Sequence, residues 1–543
     1  MSPLRHFSSR ILGQILQHAN TKELHLRFTT GRWDAESWGE RPWHGFKEGG
    51  TGVELWAWVE ADTNDGAFAK WVTLTQSLSG LFCASLNFID STRTARPYLT
   101  FQPRGNHSTE GHSLHLLHGT LPGEVVCTEN LTPFLKLLPC KGKAGISSLF
   151  DGHKLFDAAW QSMSIDFRPV CPEADGECYV EIEQSVDMVL DIDRSKRPRD
   201  NPIPRPVPVE QLVCDQSKPY HSEDTCYPVA SAATKEWSLA DVFGRTIPAP
   251  CPLSKYEAKT VCIIVPAERE VLTTAGAFEL KNPDGLSRCY TLLGDIPFNL
   301  ILPAQESVRL VPLAQPVLHA ERTMVGHGQE HGGLRSILTN PSNTAAVDFV
   351  YFETLPWFMK PYLHTMKTTI TSRDGSTEEI SPRDIIKDVF YRPAIDRKRG
   401  TQLELVLSVP AASTVTLIYE FEKAILRYTE YPPDANRGFN VAPAVIRILD
   451  SNNTTNNPIP PSPIYLRTTS LLLPLPTPDF SMPYNVIILT STVIALAFGN
   501  IFNLLVRRFV GAEEAPPSGL KGFIRSRIVT LKDKIRRKRV KVE

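Results

Sequence analysis

A period of two dominates the hydrophobic and polar positions of this chain. Across residues 414–422, Val415, Leu417, Tyr419 and Phe421 alternate with Thr414, Thr416, Ile418, Glu420 and Glu422. Val53, Leu55, Ala57 and Val59 repeat the pattern, as do Val180 and Ile182 against Glu181 and Glu183. Successive strand side chains point to opposite faces, so this alternation predicts antiparallel strands with one face buried. Helical spacing is scarcer. It predicts helices over residues 4–19, with Leu12 and Leu16 on the apolar stripe, and over residues 70–81, with Trp71, Leu74 and Leu78 on one face. The Pro-rich run 198–208 reads as an extended linker or exposed loop. The expectation is mostly β: sandwich-like units with a few helices and no internal repeat.

One segment breaks the pattern. Residues 486–506 run about 21 positions without a charge, long enough to cross a bilayer as a helix. Arg507 and Arg508 follow at once, and the chain stays basic to its end. Lys+Arg number 58 against 59 Asp+Glu, a net charge of −1 that argues against a general nucleic-acid binder. That balance hides an asymmetry, because the tail carries about +8 and the body about −9. Positive flanks mark the cytosolic side, which predicts a single-pass protein with its body outside the cytosol. The expected organisation is a β-rich region with a helical start over 1–197, the linker 198–208 and a β-sandwich region over 209–455. A Pro-rich juxtamembrane segment over 456–485, the span 486–506 and a basic cytosolic tail over 507–543 complete it. Residues 1–20 hold an amphipathic pattern and no apolar leader core, so a secretory leader is expected upstream of Met1.

All ten cysteines lie between Cys83 and Cys289, in the predicted non-cytosolic body. The spacings of Cys171/Cys178, Cys214/Cys226 and Cys251/Cys262 suit local disulfides in an oxidising compartment. Glycosylation sequons occur at Asn106, Asn130, Asn452 and Asn453, whereas Pro341 disqualifies Asn340. His107, His112, His115 and His118 cluster, but strand geometry sets His115 on the face opposite His112 and His118, and no metal site is expected. The Gly-rich run 326–333 lacks the spacing of a phosphate loop. No catalytic signature is found, and no catalytic residue or cofactor is assigned.

Four strings carry a family resemblance: GLFCASLNFIDST (80–92), VVCTENLTPFLKLLPCKGKAG (125–145), RYTEYPPDANRGF (427–439) and LPTPDFSMPYNVI (475–487). In this order, and with the span in place, they resemble the PIG-T family, the non-catalytic PIG-T subunit of the glycosylphosphatidylinositol (GPI) transamidase complex. The family pattern also begins with a leader and lumenal strands that do not precede residue 4 here. The resemblance implies an endoplasmic reticulum membrane protein with a β-rich lumenal part that scaffolds a complex. Its implied partners are the caspase-like catalytic subunit PIG-K, a GAA1-type subunit, PIG-S and PIG-U, with GPI lipid and proprotein as substrates of the whole. The cysteine of VVCTENL, here Cys127, is implied to form an interchain disulfide with PIG-K; the competing reading is an intrachain bond such as Cys127 with Cys140. Asn500 and Asn503, polar positions near the cytosolic end of the span, are candidates for a membrane partner or lipid contact. The competing class is a single-pass cell-surface adhesin or receptor with a β-sandwich ectodomain.

Overall fold

The computed structural model describes residues 10–107, 113–171, 178–196, 214, 216, 226, 236–253, 260–274, 278–281, 287–292, 296–305, 313–326, 328, 330–432, 434, 436–449, 463–476, 481–507 and 519–539. The chain forms two compact units, Met1–Pro476 and Thr477–Glu543.

The first unit opens with a six-stranded antiparallel sheet. Its strands are β1 (Thr21–Thr30), β2 (Gly52–Glu60), β3 (Thr94–Ala95), β4 (Leu114–Leu121), β5 (Trp160–Val170) and β6 (Tyr179–Val189), in the order β3-β4-β2-β1-β5-β6. Register sets Leu26 of β1 opposite Leu55 of β2 and Ile165 of β5. Those aliphatic side chains share one face. Helices cover that face: α1 (Arg10–His18), α3 (Asn64–Phe82) and α4 (Thr128–Leu137), while the short α2 (Ala35–Trp38) buries none of its residues. The α3 helix is longer than its apolar spacing predicts because Thr63 caps it, its side chain accepting from Gly66 N. Burial of Trp71, Leu74, Leu78 and Phe82 against the sheet contributes about 1.5–3 kcal/mol each.

The alternation in residues 53–59 predicts one wet face, yet eight of the nine residues of β2 are buried. Trp56 and Trp58 pack against Phe46, Phe101, Phe352, Val445 and Tyr465, which come from a loop, a crossover and the C-terminal part of the same unit. The polar members of that face are therefore buried and ion-paired. His25 lies between Asp166 and Glu23, with Nε2 2.8 Å from Glu23. Asp166 accepts from Arg27 at 2.6 Å and from Lys47 at 3.1 Å. Glu54 accepts from Arg467 at 2.7 Å and lies 3.1 Å from His118.

The C-terminal part of this unit is a true sandwich of two five-stranded sheets. One runs His319–Val325, His331–Thr339, Ser413–Lys423, Met359–Ser372, Thr377–Ile380; the other runs Ile386–Arg392, Thr401–Val409, Val347–Leu355, Val445–Ile448, Tyr465–Arg467. Leu338, Val415 and Leu417 of the first meet Phe349, Leu405 and Leu407 of the second. Here the alternation holds: Val415, Leu417, Tyr419 and Phe421 are buried, and the residues between them are not. Two three-stranded sheets between Trp237 and Leu302 enclose a smaller core around Tyr290, Phe298 and Leu300. The Pro-rich run 198–208 lies outside the described residues.

In the second unit, the helix Ser481–Val506 contains the apolar run Tyr484–Val506, 23 residues with none buried. At 1.5 Å per residue this matches a hydrocarbon core about 30 Å thick. The basic tail adds the helix Leu520–Arg539. On it, Leu520, Ile524, Ile528 and Leu531 follow helical spacing and are all exposed.

Candidate functional site: a helix-capping thiol

Eight cysteines are joined in four bonds, Cys140–Cys251, Cys171–Cys178, Cys214–Cys226 and Cys262–Cys289, which leaves Cys83 and Cys127 as thiols. The expected Cys251–Cys262 pair is overturned. The ladder between Thr260–Ile264 and Ser287–Thr291 places Cys262 directly opposite Cys289. Cys251 instead lies beside the 140s loop, where Gly145 N donates to Ala249 O at 2.6 Å. The Cys140–Cys251 bond also removes the intrachain partner proposed for Cys127.

Cys127 stands directly before a helix. It is the N-cap of α4, with extended backbone, and its N–H donates to Asn130 Oδ1 at 2.9 Å. The same Asn130 donates from Nδ2 to Phe82 O at 2.9 Å and Cys83 O at 3.2 Å. One amide thus ties the start of α4 to the end of α3, where Cys83 adopts the left-handed conformation at φ 51°. Close by, Glu124 accepts from Ser85 N at 2.8 Å. Cys127 is partly exposed, Val125 before it is 78% exposed, and Val126 packs into the core. The arrangement presents two thiols, Cys83 exposed and Cys127 partly exposed, with the Cys127 backbone N–H held by Asn130.

The clamp corrects a second expectation. Asn130 is 1% exposed and its amide is fully engaged, so it has no room for a glycan in the fold. Asn106 is exposed, and its Oδ1 accepts from Cys171 N at 3.0 Å. Asn452 and Asn453 lie outside the described residues. Asn500 and Asn503 are both exposed on the apolar helix, three residues apart and so on one side of it. The histidine cluster disperses: His107 lies 2.7 Å from Glu23, His118 joins Glu54, His115 meets Ala61 O, and His112 is outside the described residues. Among the described residues no group of three or more His, Cys, Asp or Glu is arranged to hold a metal. Cys83 and the Asn130 clamp were missed from sequence. The signal for Cys83 was an odd cysteine with no close-spaced mate; for Asn130 there was none, because a sequon and a buried amide look alike.

Among the described residues, a β-rich body is followed by one apolar helix of bilayer length, the arrangement of a protein that crosses a membrane once. A family model described as "Gpi16 subunit, GPI transamidase component" matches residues 3–532. The chain belongs to this family. It is 39% identical to the GPI transamidase component GPI16 of Saccharomyces cerevisiae, over 97% of this chain and 85% of that protein. To the GPI-anchor transamidase component PIGT of Homo sapiens it is 35% identical, over 94% of this chain and 85% of that one. A collagen-binding subdomain of an Enterococcus faecalis surface protein aligns with 29% of this chain at a TM-score of 0.19 and 10% identity, which carries no argument for an adhesin.

Proposed function

We propose that this chain is the structural, non-catalytic subunit of a GPI transamidase, holding the caspase-like catalytic subunit PIG-K through an interchain disulfide at Cys127. The carrying observation is that Cys127 stays a thiol, partly exposed at a helix N-cap with its N–H bonded to Asn130, while eight other cysteines are bonded within the chain. A disulfide at such a point fixes register as well as proximity, since the amide clamp leaves the backbone little freedom. Its formation suits an oxidising lumen. In this reading the body is lumenal, the tail is cytosolic, and the protein resides in the endoplasmic reticulum membrane beside GAA1-type, PIG-S and PIG-U subunits. The exposed apolar stripe of the helix Leu520–Arg539, flanked by Lys and Arg, suits the anionic cytosolic leaflet. Asn500 and Asn503 would then meet a membrane partner or a lipid headgroup.

The test is a detergent pull-down of the full-length protein on non-reducing gels, wild type beside Cys127→Ser. A heavier band that contains the caspase-like subunit, disappears on reduction and is absent from the variant supports the reading. Co-purification of that subunit without the band removes the disulfide and keeps the complex. Absence of transamidase subunits removes the whole reading.

A further inference from the structure

A cleft of about 710 Å³ opens within the first unit, away from the ion-paired layer. One wall is Asp90–Ala95 and Thr120–Glu124; the other is Thr354–Phe358, residues 399–402 and Phe439. The walls nearly touch at Gly400, where a Cβ would stand 2.5 Å from Leu355 O and 3.0 Å from Thr92 O, so only glycine fits this close approach. Two segments distant in sequence, 80–92 and 427–439, supply residues to it, and Ser85 and Glu124 connect it to the Cys127 clamp.

Its charges are unevenly paired. Of four arginines lining the cleft, Arg397 alone among the described residues is ion-paired, to Glu430, which it reaches with Nε and Nη2 while its guanidinium lies 4.7 Å from the centre of the Trp357 ring. Among the described residues Arg93, Arg392 and Arg399 form no ion pair. Arg93 lies 5.5 Å from the centre of the Phe439 ring. Arg399 donates from Nη2 to Pro393 O, and its Nε is a buried donor with no acceptor. The remaining carboxylates are hydrogen-bonded locally: Asp90 accepts from Thr92 N, Thr92 Oγ1 and Arg93 N while its charge acts on the Arg93 guanidinium, and Glu124 accepts from Ser85 N. Burial, together with the positive charges of Arg399 and Arg96, pulls the pKa of Arg392 below its ordinary value. Three guanidiniums with one orphaned donor exceed what a single carboxylate would satisfy, whereas a phosphate offers three strong acceptor oxygens and close to two charges. The volume suits a headgroup-sized molecule rather than a folded partner.

We propose that this cleft is an oxyanion site for a phosphate ester, with the phosphate held by Arg392 and Arg399, Arg93 at the rim, and the organic part against the exposed ring of Phe88. The site does not depend on the tether at Cys127. The test is calorimetric titration of the full-length protein, in a neutral maltoside at low salt, with glycerol 3-phosphate, inorganic phosphate and a hexaglutamate peptide. Glycerol 3-phosphate is expected to bind, more weakly as salt rises, and to lose about tenfold or more in affinity in Arg392→Gln. The Arg392 side chain has no hydrogen bond or ion pair among the described residues, so this variant should fold; Arg399→Gln gives a second reading, and Arg373→Gln on a distant turn should change nothing. Glycerol 3-phosphate binding more tightly than phosphate assigns the site to an ester such as a lipid or glycan headgroup; equal binding keeps the oxyanion site and assigns it to free phosphate. Binding of hexaglutamate alone overturns the proposal in favour of an acidic peptide. Binding indifferent to both arginines, or no binding of either phosphate compound, also overturns it.

Discussion

The two halves of the first unit solve the same burial problem differently. The C-terminal sandwich closes apolar face on apolar face and admits a compact polar knot. There Arg322 pairs with Glu353 at 2.6 Å, both fully buried, with Tyr419 donating to the same carboxylate. The first sheet is covered by helices on one side only. Its other side carries Glu23, His25, Arg27, Glu54 and Asp166, all buried in a web where most charges have two or more partners. A pair depends wholly on each member, whereas a web shares the loss. The difference teaches that similar burial can carry very different sensitivity to a single change.

The sharpest way to break this comparison is to remove one cation from each side. Arg322→Leu should cost about 3–5 kcal/mol, because it strands Glu353 as an uncompensated buried charge. Lys47→Met should cost less, since Asp166 keeps Arg27 and His25. Urea unfolding of both variants checks the order, and equal losses would end the distinction.

Acid gives the next largest effect. Burial alone would raise the Glu23 carboxyl, but bonds from His107 and His25 outweigh it and take the pKa from its ordinary 4.5 to about 2. A depressed carboxylate contributes stability above its unfolded pKa and loses it as pH falls through the folded one, here between about pH 4.5 and about pH 2. The loss should reach roughly 3 kcal/mol, and Glu23→Gln should flatten that part of the stability profile. Hydrogen exchange followed by mass spectrometry should locate the acid opening in the first sheet, and an opening that starts in the sandwich would contradict the assignment.

A buried asparagine clamps backbone in each half. Asn340 donates to Ala345 O, Val409 O and Pro410 O, while Asn130 bridges Phe82, Cys83 and Cys127. Substitution of either by Ala should cost about 1–3 kcal/mol. Only Asn130→Ala should also reduce the disulfide-linked band on non-reducing gels, because only that clamp positions the thiol. Cys83→Ser should have the smallest effect, below about 0.5 kcal/mol and with the linked band intact, since the residue is exposed and serves through its backbone.

Strand alternation in 414–422 was legible because the sandwich leaves the outer face of that strand partly open. In 53–59 the same signal concealed a doubly buried strand, since Glu54 and Trp56 are covered by residues up to four hundred positions away. Helix existence was readable at 70–81, but the extra turn at the start depended on the Thr63 cap. The Cys251–Cys262 expectation failed because spacing measures proximity along the chain, whereas the ladder opposite Cys289 set proximity in space. The cleft could not be read at all: Arg93 comes from a segment distant from Arg392, Arg397 and Arg399, and the sequence does not say which carboxylates will be taken up by backbone N–H groups.

Local periodicity and charge asymmetry by themselves determined the β-rich body, the apolar span and the basic tail, because each depends on residues a few positions apart. The thiols left free, the sequon too buried to carry a sugar and the arginines left unpaired were decided by tertiary structure. Those outcomes depend on which distant groups reach one another, and burial makes each such meeting obligatory for polar atoms that have lost water.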